Sequence, residues 1–217
     1  MKITDRASLE AAITEYLARD QDTTLIARIP TFIQLLESKV NRNLFHRKME
    51  LRATALTDPE ASEPEFIALP ADFQSMRRIR LTNVGGKPLL EFKSNSQMDL
   101  YRSETADVPG QPRYFTIFGD ELELAPTPAR IYTVEMVYRQ NVALADASDA
   151  TNWLLTLAPD IYLYGSLLEA APYINQDGRI ATWGSGFASA LKELNDLGTV
   201  SAFNAGPLTV RVAGRVF

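Results

Sequence analysis

Apolar residues recur every three or four positions near both ends of the chain, and at every second position across much of its middle. From residue 8 to residue 48 the period is helical. Ser8 is placed to cap a helix whose stripe is Leu9, Ala12, Ile13, Tyr16 and Leu17. The polar run Asp20-Gln21-Asp22-Thr23-Thr24 interrupts it. A second stripe, Leu25, Ile29, Phe32, Ile33, Leu36, Val40 and Leu44, marks one face of a longer helix. Pro30 has no amide to donate, so it is expected to open that helix rather than lie in its middle.

From residue 49 to 140 the period shortens to that of strands. Met49–Leu56, Glu65–Leu69, Met76–Leu81 and Pro88–Phe92 are separated by Pro, Asp and Gly-rich turns. Gln97–Arg102 reads as one short helix. Arg113–Phe118 and Glu121–Leu124 flank Gly119-Asp120, a two-residue hairpin signal. The strict alternation of Glu121-Leu122-Glu123-Leu124 buries one face and wets the other. Thr133–Arg139 is a further strand.

Residues 141–151 are small and polar and read as a linker. The helical period then returns. Pro159 and Asp160 make a first turn, Ile161, Tyr164, Leu168 and Ala171 share a face with Leu167 beside them, and Pro172 ends or kinks the helix. Asp177 is placed to cap a last helix with the stripe Ile180, Trp183, Phe187, Leu191 and Leu194, and Gly198 to stop it. Residues 199–217 hold Gly206-Pro207, Leu208–Val212 and Gly214–Phe217 and read as a β-prone arm. Such an arm needs a strand partner, in its own sheet or in another protein.

The order predicts an α+β fold. A helical bundle is formed from N- and C-terminal segments (1–48 and 152–198) around an inserted antiparallel β-sandwich or barrel-like module (49–140). A linker (141–151) and an extended C-terminal arm (199–217) complete it. The 217 residues suffice for one core with a small insert, and no internal repeat interrupts them.

The net charge of −5 argues against wrapping a phosphate backbone, whose affinity comes from Lys and Arg. No cysteine is present, so thiolate metal sites and disulfides are excluded. Neither a secretory leader at Met1–Arg6 nor an apolar run of membrane-spanning length is expected, and no membrane partner. The single histidine, His46, stands between Phe45 and Arg47 without a nucleophile or carboxylate motif, and reads as a helix-end residue. Asp146, Asp149 and Asp160 lack the spacing of a calcium loop and read as solvated linker charge. Gly184-Ser185-Gly186 lacks the strand and the Lys of a phosphate loop, and reads as small residues on a packed helix face. No catalytic, cofactor or metal residues are therefore assigned. Two basic clusters remain, Arg42, Arg47, Lys48 and Arg52, and Arg77, Arg78 and Arg80. The aromatics Trp153, Tyr162, Tyr164, Tyr173 and Trp183 default to core packing, with some open to subunit anchoring.

Several stretches together resemble the tailed-bacteriophage head-to-tail adaptor (connector) family. They are Tyr16-Leu-Ala-Arg-Asp20 with Ile29-Pro-Thr-Phe-Ile33, Glu37 and Asn41-Arg42; Leu69-Pro-Ala-Asp-Phe73; and Gly110-Gln-Pro-Arg-Tyr114 with Gly119–Pro126. Asn152-Trp-Leu-Leu155, Pro159–Tyr164, Leu167–Tyr173 and Trp183 complete the set. Their order and spacing, over residues 10 to 197, carry the likeness; the tail after residue 199 matches nothing. The resemblance implies a virion protein at the neck, in a homo-oligomeric ring, commonly twelvefold, under the portal protein. It implies contact with tail or nozzle proteins, DNA passing through the channel, and no catalysis or cofactor. In such adaptors the C-terminal segment often enters a groove of the portal. Here that segment would present Pro207, Leu208, Val210, Val212, Val216 and Phe217. Main-chain strand addition suits it, and many copies acting together allow each arm to be weak. The expectation is a mobile tail in the isolated protein and an ordered one in the particle.

A closed ring needs two different matching surfaces on each subunit. Arg77, Arg78 and Arg80 on one side and Glu121 and Glu123 on the other are the candidate halves. The competing readings are another virion joint (a head-completion or tail-tube-proximal protein), a phage enzyme such as a lysin or nuclease, and a DNA-binding module. The enzyme lacks an acid–base or metal cluster, and the DNA-binding module lacks a basic stripe.

Overall fold

The computed structural model describes residues 2–19, 21–106, 108–174 and 178–202. In chain order the helices are α1 (Arg6–Leu17), α2 (Thr23–Ile26), α3 (Ile29–Asn43), α4 (Asn95–Thr105), α5 (Trp153–Leu157), α6 (Pro159–Ile174) and α7 (Ile180–Ala202). The strands are β1 (Glu50–Leu56), β2 (Phe66–Ala68), β3 (Phe73–Leu81), β4 (Glu91–Phe92), β5 (Tyr114–Phe118), β6 (Glu121–Ala125) and β7 (Thr133–Gln140). The fold is α+β and divides into two compact units. One is helical and contains residues 1–48 and 142–217; the other contains residues 49–141 and both sheets.

In the helical unit α6 is the hub, packing against α1, α3, α5 and α7. Its buried residues, among them Ile161, Tyr162, Leu163, Leu167 and Ala170, run around the whole helix rather than along one stripe. That is the pattern of a helix surrounded by others. Gly165 is what lets α3 come so close, since a Cβ there would collide with Leu36. Gly186 of α7 lies on the ring of Tyr164, so the small residues near 184–186 do serve packing. Pro30 opens α3, and Pro172 lies inside α6, two residues before its end.

Several local expectations are corrected. The cap of α1 is Asp5, not Ser8. The Asp5 carboxylate accepts the Ser8 amide at 2.9 Å, and the Ser8 hydroxyl accepts the Asp5 amide at 3.0 Å, a reciprocal box that Ser8 joins from the third position. Tyr16 and Ile180 were assigned to buried stripes and are exposed, at 44% and 36%. Gly198 does not stop α7, which continues to Ala202. It is buried there, where a Cβ would come 2.6 Å from the Phe45 carbonyl, so this glycine serves close approach and not termination. Residues 199–202 are thus helical, and the predicted arm begins no earlier than residue 203. Asp177 and residues 203–217 lie outside the described residues.

The segment after residue 141 forms neither helix nor strand, yet it is not a solvated linker. Val142 and Leu144 are buried. Asn41 exchanges two hydrogen bonds with Val142, accepting its amide at 2.7 Å and donating to its carbonyl at 2.9 Å. The Leu144 amide donates to Glu37 Oε1 at 2.7 Å. The segment is a strap fastened along α3.

In the β unit, one sheet has the order β1-β7-β3 and is antiparallel throughout; the other has the order β2-β6-β5-β4. Gly119-Asp120 makes the two-residue connection between β5 and β6. Strand β4 departs from antiparallel pairing, running parallel to β5 over two residues. It is far shorter than the expected Pro88–Phe92, because residues 88–90 cross over and bond to the end of β3 instead. The sheets face each other across Ile79, Leu81, Phe115, Leu122, Leu124, Val134 and Met136. No closed barrel forms among the described residues. The alternation read in Glu121–Leu124 holds, with Leu122 and Leu124 fully buried and Glu121 exposed.

Candidate functional site

The outer face of the β1-β7-β3 sheet concentrates charge. Register places Arg80 and Thr54 on either side of Glu135, and Arg78 and Arg52 on either side of Val137. Period two then turns Arg52, Glu135, Arg78 and Arg80 outward together. Arg80 Nε lies 2.6 Å from Glu135 Oε1, Arg52 Nη1 lies 3.3 Å from Oε2, and Arg78 Nη2 lies 3.9 Å from Oε1. Three guanidinium groups share one carboxylate. The Arg80 hydrogen bond, and then the charges of Arg80, Arg52 and Arg78, hold the Glu135 carboxyl below its ordinary value against the opposing effect of burial. The group keeps an excess of two positive charges on an otherwise acidic chain.

Arg77 is the extra residue of an irregularity in the β3 register between Met76 and Arg78. It reaches Glu50 at 3.2 Å and keeps more than half of its side chain exposed. It lines a mostly apolar groove of about 470 Å³ between the start of β3 and the other sheet, where Phe73, Met76, Phe92, Phe115 and Ile117 are joined by Gln74 and Ser75.

The two halves assigned from the sequence fare differently. Arg77 and Arg78 stand at the sheet edge and remain about half exposed, whereas Arg80 is drawn in against Glu135. Glu121 is exposed, but Glu123 is held at 2.8 Å by Arg102 of α4, with only 15% of its side chain exposed. Arg102 also donates to the Leu124 carbonyl at 2.9 Å and thereby ties α4 to the sheet. Sequence reading missed this role of Arg102, and it missed Glu135. Period two along Thr133–Arg139 put Glu135 and Arg139 on one face, which was the available signal. The portal-docking residues Pro207, Leu208, Val210, Val212, Val216 and Phe217 lie outside the described residues.

In the helical unit the polar centre is built differently. Glu37 Oε1 accepts the Leu144 amide and the Tyr162 hydroxyl, the latter at 2.9 Å. Asn152 donates to Tyr162 at 2.7 Å. Burial raises the Glu37 carboxyl above its ordinary value, outweighing these two hydrogen bonds and the charge of Arg6. Burial and the nearby Glu37 charge likewise raise the Tyr162 phenol. Arg6 is nearly buried and donates to the carbonyls of Leu144 and Ala145, with Glu10 and Asp146 as its ion partners. Asp146 pairs with Arg6 at 3.0 Å, but its side chain stays 97% exposed, so it remains a solvated charge and the Leu144 and Ala145 carbonyls are what fasten the strap to Arg6. Arg6 and Glu37 line a cavity of about 330 Å³.

His46 stacks on Trp153 with ring centres 5.3 Å apart. Burial first, then the charges of Lys48 and Arg47, lower its pKa below the ordinary imidazole value. No helix among the described residues is long and apolar enough to cross a membrane.

No curated protein matches the chain. One family model does, described as SU10 adaptor protein, over residues 4–211. That span takes in both structural units, the strap and most of the C-terminal segment, so the likeness belongs to the whole architecture and not to a shared fragment. The chain belongs to the SU10 adaptor family of phage head-to-tail adaptors, structural proteins of the virion.

Proposed function

We propose that the protein forms a ring, of about twelve copies by analogy with such connectors, seated under the portal and joining it to the tail or nozzle proteins. The genome would pass through the centre without sequence-specific binding. The observation that carries this reading is the family match over residues 4–211. The net charge of −5 agrees with passage of the genome without tight binding.

In this reading the C-terminal residues dock on the portal. Pro207, Leu208, Val210, Val212, Val216 and Phe217 offer alternating apolar side chains suited to strand addition, and a ring multiplies each weak contact. The test is the mass of the chain mixed with its portal, measured by light scattering. A stoichiometric ring-on-ring complex is expected, and a chain truncated after Ala202 should still form rings yet fail to be retained on the portal. A full-length chain that stays monomeric beside the portal would contradict the reading.

A further inference from the structure

The β unit carries opposite charge on its opposite edges. Strands β3 and β4 are the outer strands on one side of the two sheets, and β1 and β2 the outer strands on the other. The first side presents Arg77 on the lining of the groove and Arg78 next to it on the outer sheet face. The second side is closed by the β1–β2 connection, Asp58-Pro-Glu-Ala-Ser-Glu-Pro-Glu65, with four acidic residues in eight. Asp58, Glu60 and Glu63 are exposed, and among the described residues no cation pairs with any acid of this loop. The loop is nonetheless shaped. Asp58 accepts the Glu60 amide at 3.0 Å, and the Glu65 carbonyl accepts the Leu124 amide at 2.9 Å.

We propose that the acidic β1–β2 loop of one copy docks on the β3 edge of the next, its carboxylates meeting Arg77 and Arg78 around the apolar groove. The contact is heterologous and can therefore close into a ring. It deepens the ring reading given above and rests on it. Three features favour a second copy as the occupant. The complementary charge is present on the same chain, on the far edge of the same unit. Among the described residues, Arg52, Arg78 and Arg80 share the single Glu135 carboxylate, and a neighbour's carboxylates would add to it. The groove gives the contact an apolar centre, which a phosphate backbone would not fill. Glu121 and Glu123, on the inner strand β6, are replaced by this loop as the acidic half.

Two full-length double variants test it, R77E/R78E and E60K/E63K, with R77Q/R78Q as a milder version of the first. Ring formation on the portal is followed by light scattering, and folding by thermal melts. Each charge-reversed variant alone is expected to self-associate about tenfold or more weakly than wild type, with its melt preserved. Mixing the two is expected to restore rings, because every junction then pairs either two native or two reversed edges. R77Q/R78Q is expected to weaken assembly less than reversal does.

Wild-type rings that are insensitive to all three variants would overturn this contact while leaving the ring reading standing. Wild type that forms no ring would overturn both. R77E/R78E that still forms rings, yet loses a salt-dependent affinity for duplex DNA, would assign the arginines to a phosphate backbone and overturn the docking.

Discussion

Two glutamates, one in each unit, are withdrawn from water in opposite ways. Glu37 in the helical unit is half-buried and is satisfied by the Leu144 amide and the Tyr162 hydroxyl. Its carboxyl is raised, and the centre around it is built to cost little net charge. Glu135 in the β unit is only 4% exposed and faces three arginines, which hold its carboxyl low. The Glu37 centre closes its polar groups internally, with the strap fastened along α3 and Gly165 letting α3 and α6 cross closely. The β unit leaves charge over at its surface, and left-over charge is useful to a protein whose family joins other proteins.

The largest expected effect lies in the closed unit. Gly165→Val drives a branched side chain into Leu36 and is expected to cost about 3 kcal/mol, read from urea unfolding of the full chain. An unchanged midpoint would mean that α3 and α6 do not cross so closely. Glu37→Ala comes next. It strands the Leu144 amide and leaves the Tyr162 hydroxyl with only Asn152, for a loss of about 1–3 kcal/mol. Glu37→Gln keeps an acceptor oxygen and is expected to stay within about 1 kcal/mol of wild type at neutral pH.

The pH dependence separates the two glutamates. The folded Glu37 carboxyl lies above its unfolded value, so its contribution is complete below the ordinary carboxylate range and is lost as pH rises through the raised value. The folded Glu135 carboxyl lies below its unfolded value, so its contribution is present above that range and is lost as pH falls through the depressed value. Stability measured from pH 3 to pH 8 should therefore lose its decline toward neutral pH in Glu37→Gln, and part of its acid sensitivity in Glu135→Gln. The same slope in both variants would remove the contrast. The smallest stability effect is expected for Arg77→Gln, within about 0.5 kcal/mol, because its pair with Glu50 is exposed. Its consequence should appear in assembly instead.

What the chain states locally was legible in the sequence. Pro30 at the start of α3, Gly119-Asp120 between β5 and β6, and the buried leucines of Glu121–Leu124 each follow from turn chemistry or period alone. Gly198 was read by the same local rules as a helix stop, and only the passing Phe45 carbonyl explains why a glycine stands there inside a helix. The small, polar composition of residues 142–151 hid a strap, because its partners Asn41 and Glu37 lie about a hundred residues earlier. For the candidate contacts, the cluster Arg77, Arg78 and Arg80 was visible as consecutive basic residues. Its acidic centre was not, since Glu135 becomes central only when β7 pairs between β1 and β3. Arg52 was grouped with the helix-end cations by proximity in sequence, and strand register moves it to this cluster.

The absence of cysteine from the chain permits a direct test of edge-to-edge contact. Full-length protein carrying E63C and R77C, assembled on the portal and treated with a short dithiol-reactive cross-linker, should give a ladder of covalent oligomers ending in a closed ring. Each single-cysteine variant should remain monomeric on a denaturing gel. Intact rings that yield only monomers from the double-cysteine chain would contradict the contact between the acidic loop and the β3 edge.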